Sequence, residues 1–557
     1  HSKRGTKVFV ERRYPFDSSL KRMSVLSTVY SSVYTNTKNK RVLSKGAPEV
    51  MKSMFSQNMP DNYDEIANNY AKRGFRILAL GFREDAELNV TSHRDEVERD
   101  LTFGGFLITE TPLKSDTSKY VNELLDADLN CIIITGDHFL TTAKVAVDLN
   151  IGPITILFGS VTFELNDKKE VKFFIEWTDL DNKLKSTSKN SKDVEDLSKD
   201  YMLGFNGDQV KILEDIDDKY LDNKCFIFKN VKLFCRVAPL QKDLIIMELI
   251  KAGCNPSMCG DGSNDVGALK RAMIGVALLN SEDAPKNPNQ REQPFSILSL
   301  DEDTSIKSGD VTAAAPFTSK SGSIKCMKNI FIRGRCTLVI TFQMFKILAL
   351  NCLLTAFCMS VLALKGVKFS DYQSTYVGFL VAFCFLMLSR GEPLKKLNKN
   401  YPQFHFFTPA SVVSVVGQAV THLVSLKLII HITEEIDPIG IGSVKSLDDE
   451  FSPTLMNSVV FLFTAINNVT NFLVNYIGEP FMENLSKNTW MQRLCWGVWI
   501  IVTVCVFDLH PELNEYFEIL PLPDDIYYKV KFMGILVVDL GLCYVLENWK
   551  KILRLYK

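Results

Sequence analysis

Residues 259–270 read Cys259-Gly260-Asp261-Gly262-Ser263-Asn264-Asp265-Val266-Gly267-Ala268-Leu269-Lys270, between an apolar strand-like segment and a helix-like one. Asp261 and Asp265 stand four residues apart with an Asn between them, and the glycines let other backbone come close. That set suits a Mg²⁺ ion beside a phosphoryl group. The plain alternative is an Asp/Gly/Asn turn joining two elements, and the surrounding sequence decides between the two.

From Phe103 onward, strand and helix patterns alternate: strands at 103–108, 131–134, 233–237 and 255–258, helices at 115–127, 140–149 and 240–252. This order predicts a doubly wound parallel sheet. Ligands of such a sheet sit at the carboxyl ends of its strands. Two further motifs fall there. Thr135-Gly136-Asp137-His138 precedes Leu140-Thr141-Thr142-Ala143 at a helix start, so a hydroxyl, a glycine and free helix N–H groups make an anion site. Arg236-Val237-Ala238-Pro239-Leu240-Gln241-Lys242 puts Lys242 on the first turn of a helix, where a cation opposes the helix dipole unless an anion lies nearby. Together these ends supply a hydroxyl, an ammonium and two carboxylates, a set suited to Mg²⁺-assisted phosphoryl transfer. Thr135, Gly136, Asp137, Lys242, Asn264 and Asp265 are the candidate catalytic residues, with Asp261 and Asp265 the candidate metal ligands.

Residues 1–103 contain alternating segments at 6–10, 23–30 and 41–44 that read as an antiparallel sheet, with a helix at 63–73 packed nearby. Residues 160–225 interrupt the later alternation with a charged segment that includes 183–192, expected to be a partly mobile insertion. A second polar stretch, 280–307, reads as a disordered excursion.

Beyond residue 330 the chain changes character. Six apolar runs, near 337–364, 375–389, 409–430, 454–477, 491–507 and 530–546, predict six transmembrane helices rather than a buried helical core. The loop after the second run carries Arg390, Lys395, Lys396 and Lys399, and the tail carries Lys550, Lys551, Arg554 and Lys557. Loops after the third and fifth runs are acidic, through Glu434, Glu435, Asp437, Asp448, Asp449, Glu450 and Glu512, Glu515, Glu518, Asp524, Asp525. This asymmetry places residues 1–336 and the C-terminus in the cytosol.

The 557 residues require several domains, and a net charge of −1 argues against a nucleic-acid partner. Thirteen cysteines without a CxxC pair and seven dispersed histidines give no zinc or disulfide framework and no cluster of soft metal ligands. The first four apolar runs contain no carboxylate, and Lys346 is the only charge in the first. Asn457, Thr464, Asn468, Asn471 and Asn475 share a narrow sector of the fourth run at 100° per residue.

Thr135-Gly136-Asp137, Lys242 and Gly260-Asp261-Gly262-Ser263-Asn264-Asp265, in this order before a set of hydrophobic spans, resemble the phosphorylation domain of P-type ATPases. The resemblance implies a haloacid-dehalogenase-like fold for that domain. Upstream, Lys45-Gly46-Ala47-Pro48-Glu49 resembles the nucleotide-domain motif of those pumps. By that likeness Phe16, within Tyr14-Pro15-Phe16-Asp17, stacks on adenine, Lys45 and Gly46 line the nucleotide pocket, and Arg76 reaches the ATP phosphates. The stretches Ala315-Pro316-Phe317-Thr318-Ser319-Lys320, Gly334-Arg335-Cys336-Thr337, Gln343-Met344-Phe345-Lys346 and Gly366-Val367-Lys368-Phe369 resemble the fifth class, subclass A. Its endoplasmic-reticulum pumps extract misinserted or mistargeted transmembrane helices. One departure is His138, where the family has Asn.

The resemblance implies ATP and Mg²⁺ as cofactors, the bilayer and transmembrane-helix polypeptides as partners, a monomer, and the endoplasmic-reticulum membrane as location. It divides the chain into a nucleotide domain at 1–103, an α/β phosphorylation domain at 104–324 and a membrane domain at 325–557. The Asn sector of the fourth run is then either interhelical glue or, with Lys346, Asn351, Asn468 and Asn471, a polar groove for the hydrophilic flank of a helical client. The DKTGT sequence that carries the family's phosphorylated Asp occurs nowhere in these residues. The expectation is therefore a C-terminal half, with a phosphorylation-domain sheet missing its central strand, inactive alone. The alternatives are a subclass B polyamine or cation pump, disfavoured by residues 343–351 and the acid-free first four runs, and a non-catalytic membrane fragment of a truncated or split gene.

Overall fold

In the computed structural model, residues 7–17, 20–30, 38–84, 90–110, 112–165, 171–180, 184–216, 223–279, 315–403, 405–437 and 451–552 are described. The chain forms two compact units, His1–Lys328 and Asn329–Lys557.

The first unit opens with a six-stranded sheet in the order β1-β2-β3-β5-β6-β4. Its strands are β1 (Lys7–Asp17), β2 (Arg22–Tyr30), β3 (Lys38–Gly46), β4 (Phe55–Gln57), β5 (Arg76–Glu84) and β6 (Leu101–Thr109). All neighbours run antiparallel except β4 and β6. Alternation in β2 turns Ser24, Leu26 and Thr28 inward. The helix Tyr63–Lys72 buries Tyr63, Ala67 and Ala71, spaced to fall on one stripe. The buried carboxylate of Glu98 is met by Arg22 at 2.5 Å, Arg94 at 3.0 Å and the Ser24 hydroxyl at 2.7 Å, so its charge is fully compensated.

β6 corrects the boundary expected at 103. It pairs with β5 from Arg76↔Thr109 to Phe82↔Thr102, so it closes the first sheet rather than opening the second. An isolated apolar strand carries no mark of which sheet it joins.

The second expected sheet is divided in two. One part has the order β10-β9-β8-β11-β12-β7 and the other β13-β14-β15. Here β7 is Ile133–Ile134, β8 Ile156–Leu165, β9 Val171–Asp179, β10 Lys185–Ser188, β11 Met202–Asn206, β12 Leu233–Cys235, β13 Ser257–Gly260, β14 Ile274–Leu278 and β15 Phe317–Ser319. The run β8-β11-β12-β7 is parallel, as is the three-stranded sheet. β7 and β13 are both edge strands. Ile134 of β7 packs on the cluster of Met258, Ala268, Leu269 and Ala277 built around β13, so the two open edges share one patch of core.

The segment expected to be a mobile insertion supplies ordered structure. β8, β9, β10, β11 and the helices Ser191–Asp200 and Gly207–Asp215 come from it. Trp177 is fully buried, its ring tilted 38° against Phe205, and it donates to the Ser188 hydroxyl at 3.0 Å. The charge that suggested an excursion lies on exposed faces, while Ile175, Trp177, Val194 and Leu203 form a core. The stretch 280–307 lies outside the described residues.

Among the described residues, five helices are long and apolar enough to cross a membrane: Lys325–Leu364, Asp371–Ser389, Pro409–Ile436, Leu455–Val474 and Thr489–Phe507. They correspond to the first five apolar runs. The sixth run lies in the helix Ile526–Ile552, 27 residues long, which carries Lys529, Lys531, Asp539 and Glu547. The fourth helix is central, with 94% of its apolar window buried against 28% to 39% in the other four.

Candidate functional site

The loop that follows β13 is shaped by Asp265. One carboxylate oxygen takes the Lys242 ammonium at 2.7 Å, and the other accepts from the Gly262 N–H at 3.3 Å. Both side chains are nearly closed off, Lys242 at 12% and Asp265 at 10% exposure. A Cβ at Gly260 would stand 2.6 Å from Asp265 Oδ2, so glycine is required where the carboxylate folds back on the strand. Lys242 lies on the first turns of the helix Pro239–Lys251. The anion that offsets its conflict with the helix dipole is Asp265 itself.

Through these two contacts Asp265 holds Lys242 in place in this structure. Asp261 and Asn264 are exposed on the same loop, and Asp261 has no hydrogen bond or ion pair among the described residues. A free carboxylate at a strand end, beside a fixed ammonium, fits a hard cation that takes oxygen ligands and carries a phosphate.

The Thr135-Gly136-Asp137 turn is tied to the segment that leads into Lys242. Val237 N–H donates to the Thr135 carbonyl and Arg236 N–H to the Asp137 carbonyl, each at 3.1 Å. The Thr135 hydroxyl oxygen accepts from the Asp137 N–H at 3.1 Å. Arg236 adopts φ +54°, a left-handed conformation uncommon for a residue with a side chain. Thus the three motifs form one chain of contacts: turn to residues 236–237, helix to Lys242, Lys242 to Asp265, Asp265 to the Asp261 loop.

His138 substitutes for an Asn cap. Its Nδ1 accepts from Leu140 N–H at 3.3 Å at the start of the helix Phe139–Asp148. Burial, with the Arg236 charge second, pushes its pKa down to about 4, so the ring is neutral and able to accept near neutral pH.

The nucleotide candidates lie on the first sheet. Lys45 of β3 opposes Met23 of β2, and the irregularity between Tyr14 and Asp17 of β1 places Phe16 two strands from Lys45. Phe16 is 63% exposed, free of the core role that an aromatic on a strand would ordinarily take. Gly46 is buried, where a Cβ would meet that of Arg22 at 2.8 Å. Arg76 is exposed and pairs with Asp137 at 3.4 Å, while Glu49 pairs with Arg236 at 2.5 Å. The Lys45–Glu49 segment and Arg76 therefore reach the same turn that carries Thr135.

The proposed groove residues do not line an opening. Asn351, Asn468 and Asn471 are at most 5% exposed and Lys346 is 9% exposed. Lys346 pairs with Glu547 of the sixth helix. Asn471 donates to Asn351 Oδ1 at 2.8 Å, Asn475 and Gln418 exchange hydrogen bonds, and Asn457 meets Gln373. Among the described residues Asn468 has no partner for either amide atom. Because the fourth helix is central, its polar sector faces other helices. Sequence reasoning missed the carboxylates of the sixth helix that reach this sector through the third: Asp539 through His422 to Asn471, and Glu547 through Gln418 to Asn475. Dispersed histidines also concealed a grouping: His422, Asp539 and Cys543 approach within 4.8 Å.

Residues 5–116 match the family described as P-type ATPase, cytoplasmic domain N. Across 98% of its length the chain is 32% identical to the endoplasmic reticulum transmembrane helix translocase of Schizosaccharomyces pombe, covering 51% of that protein. It is 31% identical over 96% of its length to the Saccharomyces cerevisiae protein of the same name, covering 50% of it. It is also 31% identical over 99% of its length to the probable manganese-transporting ATPase PDR2 of Arabidopsis thaliana, covering 49% of that protein. Residues 5–116 thus match a P-type ATPase domain, and nearly the whole chain is similar to one half of larger ATPases and translocases. Three of these similarities, at 30% to 32% identity, are to proteins named endoplasmic reticulum transmembrane helix translocase. The chain spans about half the length of the curated relatives it matches.

Proposed function

We propose that the chain is the C-terminal part of an ATP-driven pump of the endoplasmic-reticulum membrane that removes mistargeted or misinserted transmembrane helices. The observation that carries this reading is the Lys242–Asp265 pair beside the free carboxylate of Asp261, in a chain similar along nearly its whole length to proteins named for that translocation. Six membrane helices, with residues 1–336 and the C-terminus cytosolic, complete the proposed topology; the loop charges support it.

ATP is the substrate. Phe16 stacks on the base, Lys45 and Gly46 line the pocket, and Arg76 directs the phosphates toward the Thr135 turn to which it is already paired. Lys242 and the Thr135 hydroxyl stabilise the charge of the transferring phosphoryl group. Asp265 holds Lys242 in place, Asp137 and Gly136 shape the turn, and Asn264 supports the Asp261 loop. Asp261 would hold Mg²⁺, which would supply neutralisation of phosphate charge.

The nucleophilic Asp and its strand come from outside these residues. The open edges β7 and β13, joined by one core patch, support a missing strand between them; an edge left uncovered invites misassembly. The haloacid-dehalogenase-like description of 104–324 and the monomeric state are part of this proposal. The test uses the full-length protein in liposomes containing a labelled, mistargeted transmembrane peptide. ATP-dependent release of the peptide, lost in D261N, is expected. Turnover of ATP that no such peptide stimulates, with no release, would overturn the assignment of cargo.

A further inference from the structure

Beyond the phosphoryl-transfer site, one group of ionisable side chains is sealed from solvent. His422 and Ser425 sit one turn apart on the third membrane helix, Asp539 and Cys543 one turn apart on the sixth, Asn471 on the fourth and Asn351 on the first. His422 is 1% exposed and Asp539 0%. Asp539 Oδ2 stands 2.8 Å from His422 Nδ1, and Asp539 Oδ1 accepts from the Ser425 hydroxyl at 2.7 Å. On the other side of the ring, His422 Nε2 is 2.9 Å from Asn471 Oδ1. Asn471 Nδ2 in turn donates to Asn351 Oδ1 at 2.8 Å. Cys543 Sγ lies 4.0 Å from Nε2.

As placed, both ring nitrogens face oxygen atoms, an arrangement fully satisfied when both nitrogens carry a proton and the ring is an imidazolium. A lone carboxylate at this depth is costly, and the imidazolium makes the pair neutral. His422 presents no free nitrogen to a metal ion. The network also contains its own second state. If Nε2 loses its proton it becomes an acceptor facing the Asn471 oxygen. Turning the Asn471 amide over presents Nδ2 to Nε2 and Oδ1 to Asn351. Turning the Asn351 amide over in concert brings its Nδ2, which has no partner among the described residues, to the Asn471 oxygen as donor. Each protonation state thus has a hydrogen-bonded chain from the sixth helix to the first.

We propose that His422 and Asp539 form a proton-binding site inside the membrane domain, whose occupancy is relayed through Asn471 to Asn351. One proton binds at Nε2 from water and returns to water, and no other bond forms or breaks. The other charged pair nearby, Lys346 of the first helix with Glu547 of the sixth, is closed with Ser414 and Gln418 of the third about two turns further along the sixth helix. It faces the same interior and is neutral as a pair. The inference stands whichever cargo the pump carries.

The test is nitrogen NMR of the full-length protein in lipid, labelled at histidine, with H422Q identifying the resonance by its absence. The expected spectrum shows two protonated ring nitrogens near neutral pH, passing to one protonated nitrogen as the pH is raised, and a neutral ring in D539N. A neutral ring in the wild type across the titration would overturn the proposal. Should H422Q fail to fold, D539N alone decides, because a histidine signal that shifts from imidazolium to neutral in that variant is the predicted one, and an unchanged histidine spectrum contradicts it. The relay has a separate readout. The amide carbonyl band of labelled asparagine should change with pH in the wild type and not in N471L; a band indifferent to pH in the wild type would remove Asn351 from the proposal.

Discussion

Two acid–base pairs, one in each unit, are built from similar parts and closed to different degrees. Lys242–Asp265 is about one-tenth exposed and stands beside a carboxylate and a turn with capacity to spare. His422–Asp539 is sealed, and both carboxylate oxygens and both ring nitrogens are occupied. A pair with free neighbours can receive a ligand as large as a phosphate. A saturated one exchanges nothing larger than a proton. What distinguishes a substrate site from a switch here is the number of unsatisfied groups next to the pair, more than the identity of the pair itself.

The largest expected effect breaks the sealed pair. D539L should destabilise the membrane unit by about 3–5 kcal/mol, because it breaks a buried pair and leaves His422 Nδ1 and the Ser425 hydroxyl without their acceptor, while the double variant H422L/D539L should recover part of that loss. Thermal unfolding of detergent-solubilised protein checks both, and a double variant no more stable than D539L would show that the cost is packing. Next, K242M should lower full-length ATPase turnover by roughly 10²–10³-fold, the range for losing one positioned charge-stabilising donor, and leave the melting temperature of the fold within a few degrees. Turnover equal to wild type would remove Lys242 from the chemistry.

The smallest effect concerns His138. Its pKa is lowered to about 4 in the folded chain, against about 6.5 when unfolded. The unfolded state therefore binds the extra proton first, so the stability associated with the neutral cap is complete above about pH 6.5 and is lost as pH falls toward about 4. H138N, which caps without titrating, should lack that part of the slope. The difference between wild-type and H138N denaturation midpoints across this window measures it, and parallel profiles would contradict the capping role.

Local chemistry was readable from the sequence wherever a motif and its partner lie on adjoining elements. The Asp261 loop, the Thr135 turn and Lys242 were marked by glycines, a hydroxyl and an ill-placed cation, and the membrane helices by runs of apolar residues. What escaped required distant pairing. β6 gave no sign of joining β5, and the charges of 183–192 hid the alternation that buries Trp177. The sector Asn457–Thr464–Asn468–Asn471–Asn475 was legible, but its burial was not. Nor were its partners: His422 and Asp539 are 117 residues apart, and no periodicity connects two helices. Counting carboxylates run by run excluded from the first four helices a charge that the sixth brings among them.

The central claim, that these residues hold the phosphate-handling half of a P-type site and lack its nucleophile, meets its most direct test in acid-stable phosphorylation from radiolabelled ATP with Mg²⁺. Full-length protein should be labelled, full-length D261N should not, and residues 1–557 alone should remain unlabelled. Stable labelling of residues 1–557 by themselves would contradict it.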